Sequence, residues 1–294
     1  MSRRLALATY GLAPQLGPDD QLLPPALAAL GISGEPVVWT NDSAIWTEFD
    51  AVVIRSCWDY HLHFAEFLAW IARLDASGIA VWNSSSLVRW NANKRYLLDL
   101  AQRGVATIPT LIVPRGRAAD VESLAVAEGW TRFVIKPTVS ASGFETHALR
   151  VPLDDAGRET IATVTTIGDA LIQPFADEVP LNGEYSFTFI DGVFSHATLK
   201  RAADGEFRVQ TEHGGSAEPV EAPPALVEEA ARVLRALPET PLYARVDGIA
   251  RGRALLLMEL ELIEPNLFLA KRNGAAERLA AAIARRLERA RASG

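Results

Sequence analysis

The sequence predicts an α/β unit followed by α+β structure, and three observations support this fold class. In residues 1–90, short apolar runs alternate with helix-like stretches, which is typical of a parallel sheet with helices between its strands. From Glu184 onward, apolar runs follow one another across short turns, which favours an antiparallel sheet. A chain of 294 residues, 49% of them hydrophobic, is also long enough for two or three compact units.

The first unit is predicted over residues 1–90. Its expected strands are residues 5–10, 37–39, 51–55 and 80–82, and its expected helices are residues 21–30 and 64–77. Ligand-binding groups of α/β units lie at the carboxyl ends of strands. Arg55, Trp58 and Asp59 follow such a strand, so they are candidate substrate-binding residues, with Arg55 as a clamp for a carboxylate. The alternative is a buried Arg55–Asp59 ion pair with Trp58 packed in the core.

The second unit is predicted over residues 91–178 and the third over residues 179–294. In the second, helix 91–103 leads into strands 110–113, 133–136 and 171–173, with helices 118–127 and 159–166 between them. In the third, two hairpins are expected, strands 185–190 with 194–199 and strands 243–249 with 254–261. Helices 225–237 and 275–291 complete the prediction, and the last closes the fold.

Composition narrows the classes of partner. A formal charge of -7 and an isoelectric point near 5.4 argue against nucleic acid, because they provide no general attraction for phosphate backbones. No apolar stretch approaches the roughly 20 residues that span a bilayer. The single cysteine, Cys57, lies in an apolar run and cannot form an internal disulfide, so we expect a cytoplasmic protein with a small-molecule partner. A first strand is preferred to a twin-arginine signal at Arg3-Arg4, since Pro14 soon interrupts the apolar segment.

Two carboxylates interrupt the most apolar of the predicted strands. Glu259 and Glu261 alternate with leucines, so both project from one face, and Asp247 lies on the facing strand of the hairpin. Paired buried acids require a cation, and hard oxygen ligands suit Mg²⁺ or Mn²⁺. The three acids are therefore predicted to hold metal, with room for two ions. An edge strand with a solvated acidic face is the alternative, which the flanking leucines disfavour.

A second candidate site follows strand 133–136. Lys136 ends that strand and precedes a loop of small residues, 137–143, whose backbone amides could cover a polyphosphate. Neither Gly-x-x-x-x-Gly-Lys-Ser/Thr nor Gly-x-Gly-x-x-Gly occurs in the sequence, which excludes the P-loop and the usual dinucleotide fingerprint. Lys136 is thus a candidate phosphate clamp.

A family resemblance rests on several short motifs together. They are Asn91-Ala-Asn-Lys94, Val134-Ile-Lys136-Pro137, Gln173-Pro-Phe175, Gly183-Glu184-Tyr-Ser186 and Arg245-Val-Asp247 followed by Glu259-Leu-Glu261. In this order they resemble the glutathione-synthetase-like branch of the ATP-grasp superfamily. The segments 55–60 and 258–265 are similar to those of its cycloserine-forming cyclo-ligases, which act on an O-ureido-serine. The resemblance spans about residues 50–270 and implies an ATP-grasp fold preceded by an α/β domain on the substrate side.

The resemblance also implies roles for individual residues around ATP and two Mg²⁺ (or Mn²⁺) ions. These are Lys94 and Lys136 at the phosphates, Ser140, Ser142 and Gly143 in the covering loop, Gln173 and Phe175 at adenine, Glu178 or Glu184 at ribose, and Arg201, Arg208 and Arg245 at the transferred phosphate or acyl group. Many relatives have Glu-x-Asn where this chain has Glu259-Leu-Glu261, which puts the metal preference in doubt. Several of these residues have simpler explanations: Lys94 as a surface residue, Glu178 as a loop charge and Arg201 as the partner of an acid.

The implied reaction joins a carboxylate to an amine. A small amino-acid-like substrate would be activated by ATP as an acylphosphate, and an amine from a second molecule or from the same molecule would displace the phosphate. A non-catalytic nucleotide-binding module is the alternative, and a hydrolase using Glu259 and Glu261 is disfavoured because side chains two apart cannot flank a scissile bond. The sequence does not decide which substrate is used or whether the product is cyclic or open. We expect a homodimer only because dimers are the commonest oligomers.

Overall fold

A computed structural model describes residues 3–292 of the chain, so the predicted unit ends at residues 1 and 294 lie outside the described residues. The strands are β1 Arg3–Thr9, β2 Ile32–Val38, β3 Ala51–Ser56, β4 Ala80–Trp82, β5 Leu111–Val113, β6 Arg132–Pro137, β7 His147–Arg150, β8 Ala170–Pro174, β9 Glu184–Ile190, β10 Val193–Arg201, β11 Ser216–Val220, β12 Tyr243–Arg251 and β13 Ala254–Glu261. The helices are α1 Leu23–Ala28, α2 Phe64–Ser77, α3 Ser85–Asn91, α4 Tyr96–Gln102, α5 Asp120–Ala127, α6 Asp155–Ile167, α7 Glu178–Asn182, α8 Pro224–Arg235 and α9 Ala275–Ala292. No helix within residues 3–292 is long and apolar enough to cross a membrane.

The first sheet has the strand order β2-β1-β3-β4, and all its strands run parallel. Apolar residues alternate between its two faces: Leu5 and Leu7 pack towards α1, whereas Ala6 and Ala8 pack towards the aromatic side chains of α2. Burial on both faces is the reason for the nearly continuous apolar runs in the sequence. The predicted parallel α/β arrangement is present.

The other two sheets are antiparallel. The second has the order β5-β8-β6-β7 and packs against α5 and α6 through a core that includes Phe133 and Ile161. The third has the order β11-β10-β9-β12-β13, with α8 packed against β12 and β13. Both predicted hairpins belong to the third sheet, and β12 and β13 pair so that Asp247 lies opposite Glu259.

The predicted helix over residues 91–103 is wrong as a single element. The structure ends α3 at Asn91 and begins α4 at Tyr96. Lys94 lies in the turn between these helices, where its backbone N–H donates to the carbonyl oxygen of Thr138 at 2.7 Å. Because the helix is interrupted here, Lys94 lies at the end of β6, beside the second sheet.

Helix α9 joins two parts of the molecule that are distant in the sequence. Leu279 and Ile283 belong to the same buried cluster as Leu5, Leu7 and Tyr243. The helix packs on α1, which covers one face of the first sheet, and on β9 of the third sheet. The predicted third unit thus closes against the first unit through this helix.

Candidate active site

A cavity of about 660 Å³ lies where the three sheets meet. The first sheet contributes Trp58 and Tyr60 from the segment after β3, and the second contributes Lys136 and Gln173 from β6 and β8. The predicted residues that line it are Trp58, Lys94, Lys136, Ser140, Ser142, Gly143, Gln173, Phe175, Glu184, Arg208, Arg245, Glu259 and Glu261. Its size lies within the range of small-molecule and cofactor sites.

Two lysines from different elements meet on one carboxylate oxygen. Strand β6 buries Phe133 and Ile135 on its core face, so Lys136 projects from the opposite face into the cavity. The Nζ atoms of Lys94 and Lys136 lie 2.7 Å and 3.1 Å from Oε1 of Glu259. Burial alone would raise the pKa of Glu259, but the two ammonium groups outweigh it and hold that pKa well below its usual range. Two cations therefore converge on a point that a single carboxylate now occupies.

A second cluster of charged side chains lies deeper in the protein, on the strands of the third sheet beside the cavity. Arg245 contacts Asp247 at 2.9 Å and also pairs with Glu261. Lys200 contacts Asp247 at 2.8 Å and Glu184 at 2.6 Å. Asp247 is only 1% exposed and does not line the cavity itself. Burial opposes its ionisation, but Arg245 and Lys200 keep its pKa below the usual value.

The three predicted metal ligands lie on one face of the β12–β13 pair. Asp247 is opposite Glu259 and Arg245 is opposite Glu261, so the side chains point the same way. Within residues 3–292, no group of three or more His, Cys, Asp or Glu side chains is arranged to hold an ion directly, because the carboxylates are engaged by cationic side chains.

The donor chemistry of this face nevertheless fits a hard divalent cation. Burial, together with the neighbouring charges of Asp247 and Glu259, outweighs Arg245 and raises the pKa of Glu261 to about 7. Glu259 and Glu261 both line the cavity, so their carboxylate oxygens are open to a bound ion. Carboxylate oxygens in such a site are the ligands that Mg²⁺ and Mn²⁺ prefer.

The opposite end of the cavity is more apolar. Gln173 donates from Nε2 to Oγ1 of Thr110 at 2.9 Å, and the Phe175 ring lies 5.8 Å from that of Phe207. The guanidinium of Arg132 covers Phe175 at 3.7 Å from the ring centroid. A flat apolar pocket with an amide beside it suits an aromatic heterocycle.

The small-residue loop lies over the cavity and contacts a second loop. Gly143 has φ +72°, and a Cβ there would be 3.2 Å from Nε2 of His213 and 3.4 Å from Cδ of Arg208. Glycine at 143 therefore allows a left-handed turn and close contact between the loops. Arg208 pairs with Glu206 at 2.7 Å, so its guanidinium is already engaged.

The structure corrects the prediction for Arg55 and Asp59. Arg55 is fully buried and pairs with Asp20 at 2.8 Å, while Asp59 accepts a hydrogen bond from Nε1 of Trp39 at 2.8 Å. Neither lines the cavity, and the alternative Arg55–Asp59 pair is also wrong because the partner is Asp20. Of the three predicted substrate residues, Trp58 alone lines the cavity.

The predictions for Glu178 and Arg201 also need correction. Glu178 pairs with Arg251 at 2.6 Å and lies outside the cavity, which leaves Glu184 as the cavity-lining acid of the two. Arg201 is exposed at the end of β10, whereas Lys200 projects into the cavity. Successive side chains of a strand point to opposite faces, so only one of two adjacent basic residues can enter the site.

Sequence reasoning missed Lys200 and Glu264. A signal for Lys200 was present, because polar residues alternate along β10 at His196, Thr198 and Lys200 and face the polar residues of β9. In particular, Lys200 pairs in register with Glu184. Glu264 lies in the Ile-Glu-Pro segment after β13 and lines the cavity, and the resemblance of segment 258–265 was the signal that could have found it.

Comparison with known proteins agrees with this architecture. The family model described as the N-terminal domain of the D-cycloserine synthetase DcsG matches residues 5–83. The cycloserine biosynthesis protein DcsG of Streptomyces lavendulae is 34% identical over 286 residues, which cover 92% of this chain and 95% of that protein. The crystal structure of D-cycloserine synthetase DcsG is 32% identical and superposes with a TM-score of 0.88, covering 97% of this chain and 99% of that chain.

More distant structures share the fold. A D-alanine–D-alanine ligase from Bacillus anthracis matches with a TM-score of 0.72 at 14% identity, over 100% of this chain and 99% of that one. A RimK-domain ATP-grasp protein from Sphaerobacter thermophilus matches with a TM-score of 0.70 at 18% identity, over 95% and 98%. The three-sheet architecture and the site between the sheets thus define an ATP-grasp protein, and the predicted fold is confirmed. Within that class, the chain belongs to the DcsG family.

Proposed function

We propose that this protein is a Mg-ATP-dependent carboxylate-amine ligase that activates a small amino-acid-like substrate as an acylphosphate. The observation that carries the proposal is the convergence of Lys94 and Lys136 on Glu259, beside a face of three carboxylates. Two lysines next to buried acids suit a polyphosphate with its metal ions, and membership of the DcsG family supports a ligase that closes a ring within one molecule.

The lysines exchange partners when the nucleotide binds. In the structure they neutralise Glu259; with ATP present, Lys94 and Lys136 donate to phosphate oxygens and release the carboxylate. Glu259 and Glu261, which line the cavity, would then hold two divalent ions, Mg²⁺ or Mn²⁺, and Asp247 lies behind them on the same face. When bound, these ions neutralise charge on the phosphate oxygens and so favour attack at phosphorus.

The remaining site residues have separate tasks. Gln173 and Phe175 hold adenine, and Glu184 lies where the ribose hydroxyls are expected. Ser140, Ser142 and Gly143 cover the phosphates and exclude water, which protects an acylphosphate from hydrolysis. Arg245 and Lys200 keep Asp247 and Glu261 oriented, and Arg208 reaches the transferred phosphoryl group after leaving Glu206.

The proposed reaction has two steps. A substrate carboxylate oxygen, or an equivalent carbonyl oxygen, attacks the γ-phosphorus, the bond from that phosphorus to the bridging oxygen breaks, and ADP leaves. A substrate amine then attacks the acyl carbon, phosphate leaves, and the amine gives up one proton as the C–N bond forms. Positioning by fixed charges provides most of the catalysis in such transfers.

The test measures ADP formation from Mg-ATP with a panel of amino acids and their ureido derivatives. Glu259→Gln should abolish metal-dependent ADP formation while the fold is kept. Lys136→Ala should weaken nucleotide binding in calorimetry, whereas Lys271→Ala, at an exposed lysine that does not line the cavity, should leave it unchanged. Full turnover by Glu259→Gln, or nucleotide binding without ADP formation for every substrate, contradicts the proposal.

A further inference from the structure

Glu264 is a cavity-lining carboxylate that forms no ion pair with another side chain among residues 3–292. It lies three residues after the end of β13, beside Trp58 and Tyr60 in the lining of the cavity. Within residues 3–292, the structure shows no hydrogen bond or ion pair from its carboxylate to another residue; its only hydrogen-bond contact is its own backbone N–H. A partly buried carboxylate without a partner is costly, so its retention requires an explanation.

Hydrogen bonds from side chains hold the backbone of this segment in place. The carbonyl oxygens of the four consecutive residues 262–265 each accept a hydrogen bond from a side chain. The donors, in order, are Asn83 at 2.8 Å, Tyr243 at 2.9 Å, Trp58 at 3.1 Å and Arg55 at 2.7 Å, and Tyr243 shares its hydroxyl proton with the carbonyl of Ile54 at 2.6 Å. Arg55 thereby acts on the site indirectly, by fixing the position from which Glu264 extends. Such support from outer residues keeps a binding group in one geometry.

The cations near Glu264 are committed to other acids. The cavity-lining cations within residues 3–292 are Lys94, Lys136, Lys200, Arg208 and Arg245, and each pairs with a carboxylate other than Glu264. Burial and the charge of Glu261 outweigh the attraction of Lys94 and Arg245, which make no ion pair with Glu264, and raise its pKa to about 8. A cation brought by a ligand would compensate this carboxylate.

We propose that Glu264 binds the primary ammonium group of the amino-acid substrate and so selects amino acids over their deaminated analogues. This inference rests on the proposed function. Trp58 and Tyr60 line the same cavity as Glu264, and aromatic rings attract an ammonium group as well as packing against its carbon chain. The metal-facing acids Asp247 and Glu259 are instead grouped with lysines and Arg245, as suits phosphate and metal.

The experiment compares two probes that differ in one amino group. D-cycloserine carries a primary amine, and isoxazolidin-3-one is the same ring without it. Calorimetry on the full chain should show that the wild type binds D-cycloserine at least tenfold more tightly than isoxazolidin-3-one. Glu264→Gln should lower the affinity for D-cycloserine at least tenfold and leave that for isoxazolidin-3-one unchanged, while Glu264→Asp should keep part of the preference.

Glu212→Gln is the matched control. Glu212 also lines the cavity but is exposed and hydrogen-bonds to Thr211, so its replacement should not alter the preference. The inference is overturned if the wild type shows no preference, if Glu264→Gln keeps it, or if that variant loses both probes and ADP equally. ADP formation by the wild type is scored separately, so a failure at Glu264 is distinguishable from a failure of the ligase function.

Discussion

Replacing Lys200 by methionine tests whether the buried charges, rather than the exposed ones, organise this site. Lys200 is 6% exposed and joins Glu184 and Asp247 at 2.6 Å and 2.8 Å. A pair of unit charges 4 Å apart is worth about 4 kcal/mol at an effective dielectric constant of about 20, before the cost of desolvation. Truncating one partner of a buried pair costs about 3–5 kcal/mol, because the other charge is left buried and uncompensated.

We therefore expect Lys200→Met to lower the free energy of unfolding by about 3–5 kcal/mol. Arg245 still compensates Asp247 in that variant, so Glu184 bears most of the loss. Adding Glu184→Gln should consequently restore about half of the stability. The neighbouring replacement Arg201→Met is the control, and because Arg201 is exposed it should change stability by less than about 0.5 kcal/mol.

The assay is urea unfolding followed by tryptophan fluorescence, together with ADP formation at saturating Mg-ATP. Lys200→Met should lose both stability and turnover, and Arg201→Met should keep both. If Lys200→Met and Arg201→Met lower the free energy of unfolding by amounts that agree within about 1 kcal/mol, the assignment of Lys200 is refuted. The exposed position would then be as important as the buried one.

Three further expectations concern the substrate side of the cavity. Arg55→Met should lower the free energy of unfolding by about 3–5 kcal/mol in urea titrations, because Asp20 is then buried without its cation; Asp20→Asn in the same chain should restore part of the loss. Gly17→Ala places a Cβ 2.3 Å from Cη2 of Trp58, so calorimetry should show weaker D-cycloserine binding, and unchanged binding would contradict the packing. The pKa of Glu264 is raised from 4.5 to about 8, so folding takes up a proton between these values and stability falls as pH rises through them; Glu264→Gln should flatten that fall in melting temperatures from pH 5 to 9.

Much of the fold was accessible to sequence reasoning because it depends on local periodicity. Alternating apolar residues and the turn at Asp191-Gly192 predict the β9–β10 hairpin, and the parallel unit follows from its apolar runs. Periodicity also places Glu259 and Glu261 on one face, opposite Asp247. Element ends were less accessible: the turn at Lys94 depends on a hydrogen bond to Thr138, which is distant in the sequence.

The sequence by itself determined which chemical groups the site contains, since the order of its motifs identifies two lysines, three acids and a covering loop. Only the tertiary structure decided how they are paired. Arg55 is 35 residues from its partner Asp20, and Glu259 is reached by Lys94 from the turn between α3 and α4 and by Lys136 from the second sheet. Strand periodicity predicts which face of a sheet a side chain occupies, but it does not predict which charged residue lies close to it there. Burial and distance therefore placed Lys200 rather than Arg201 in the site, and left Glu264 without an ion pair to any side chain in the described part of the chain.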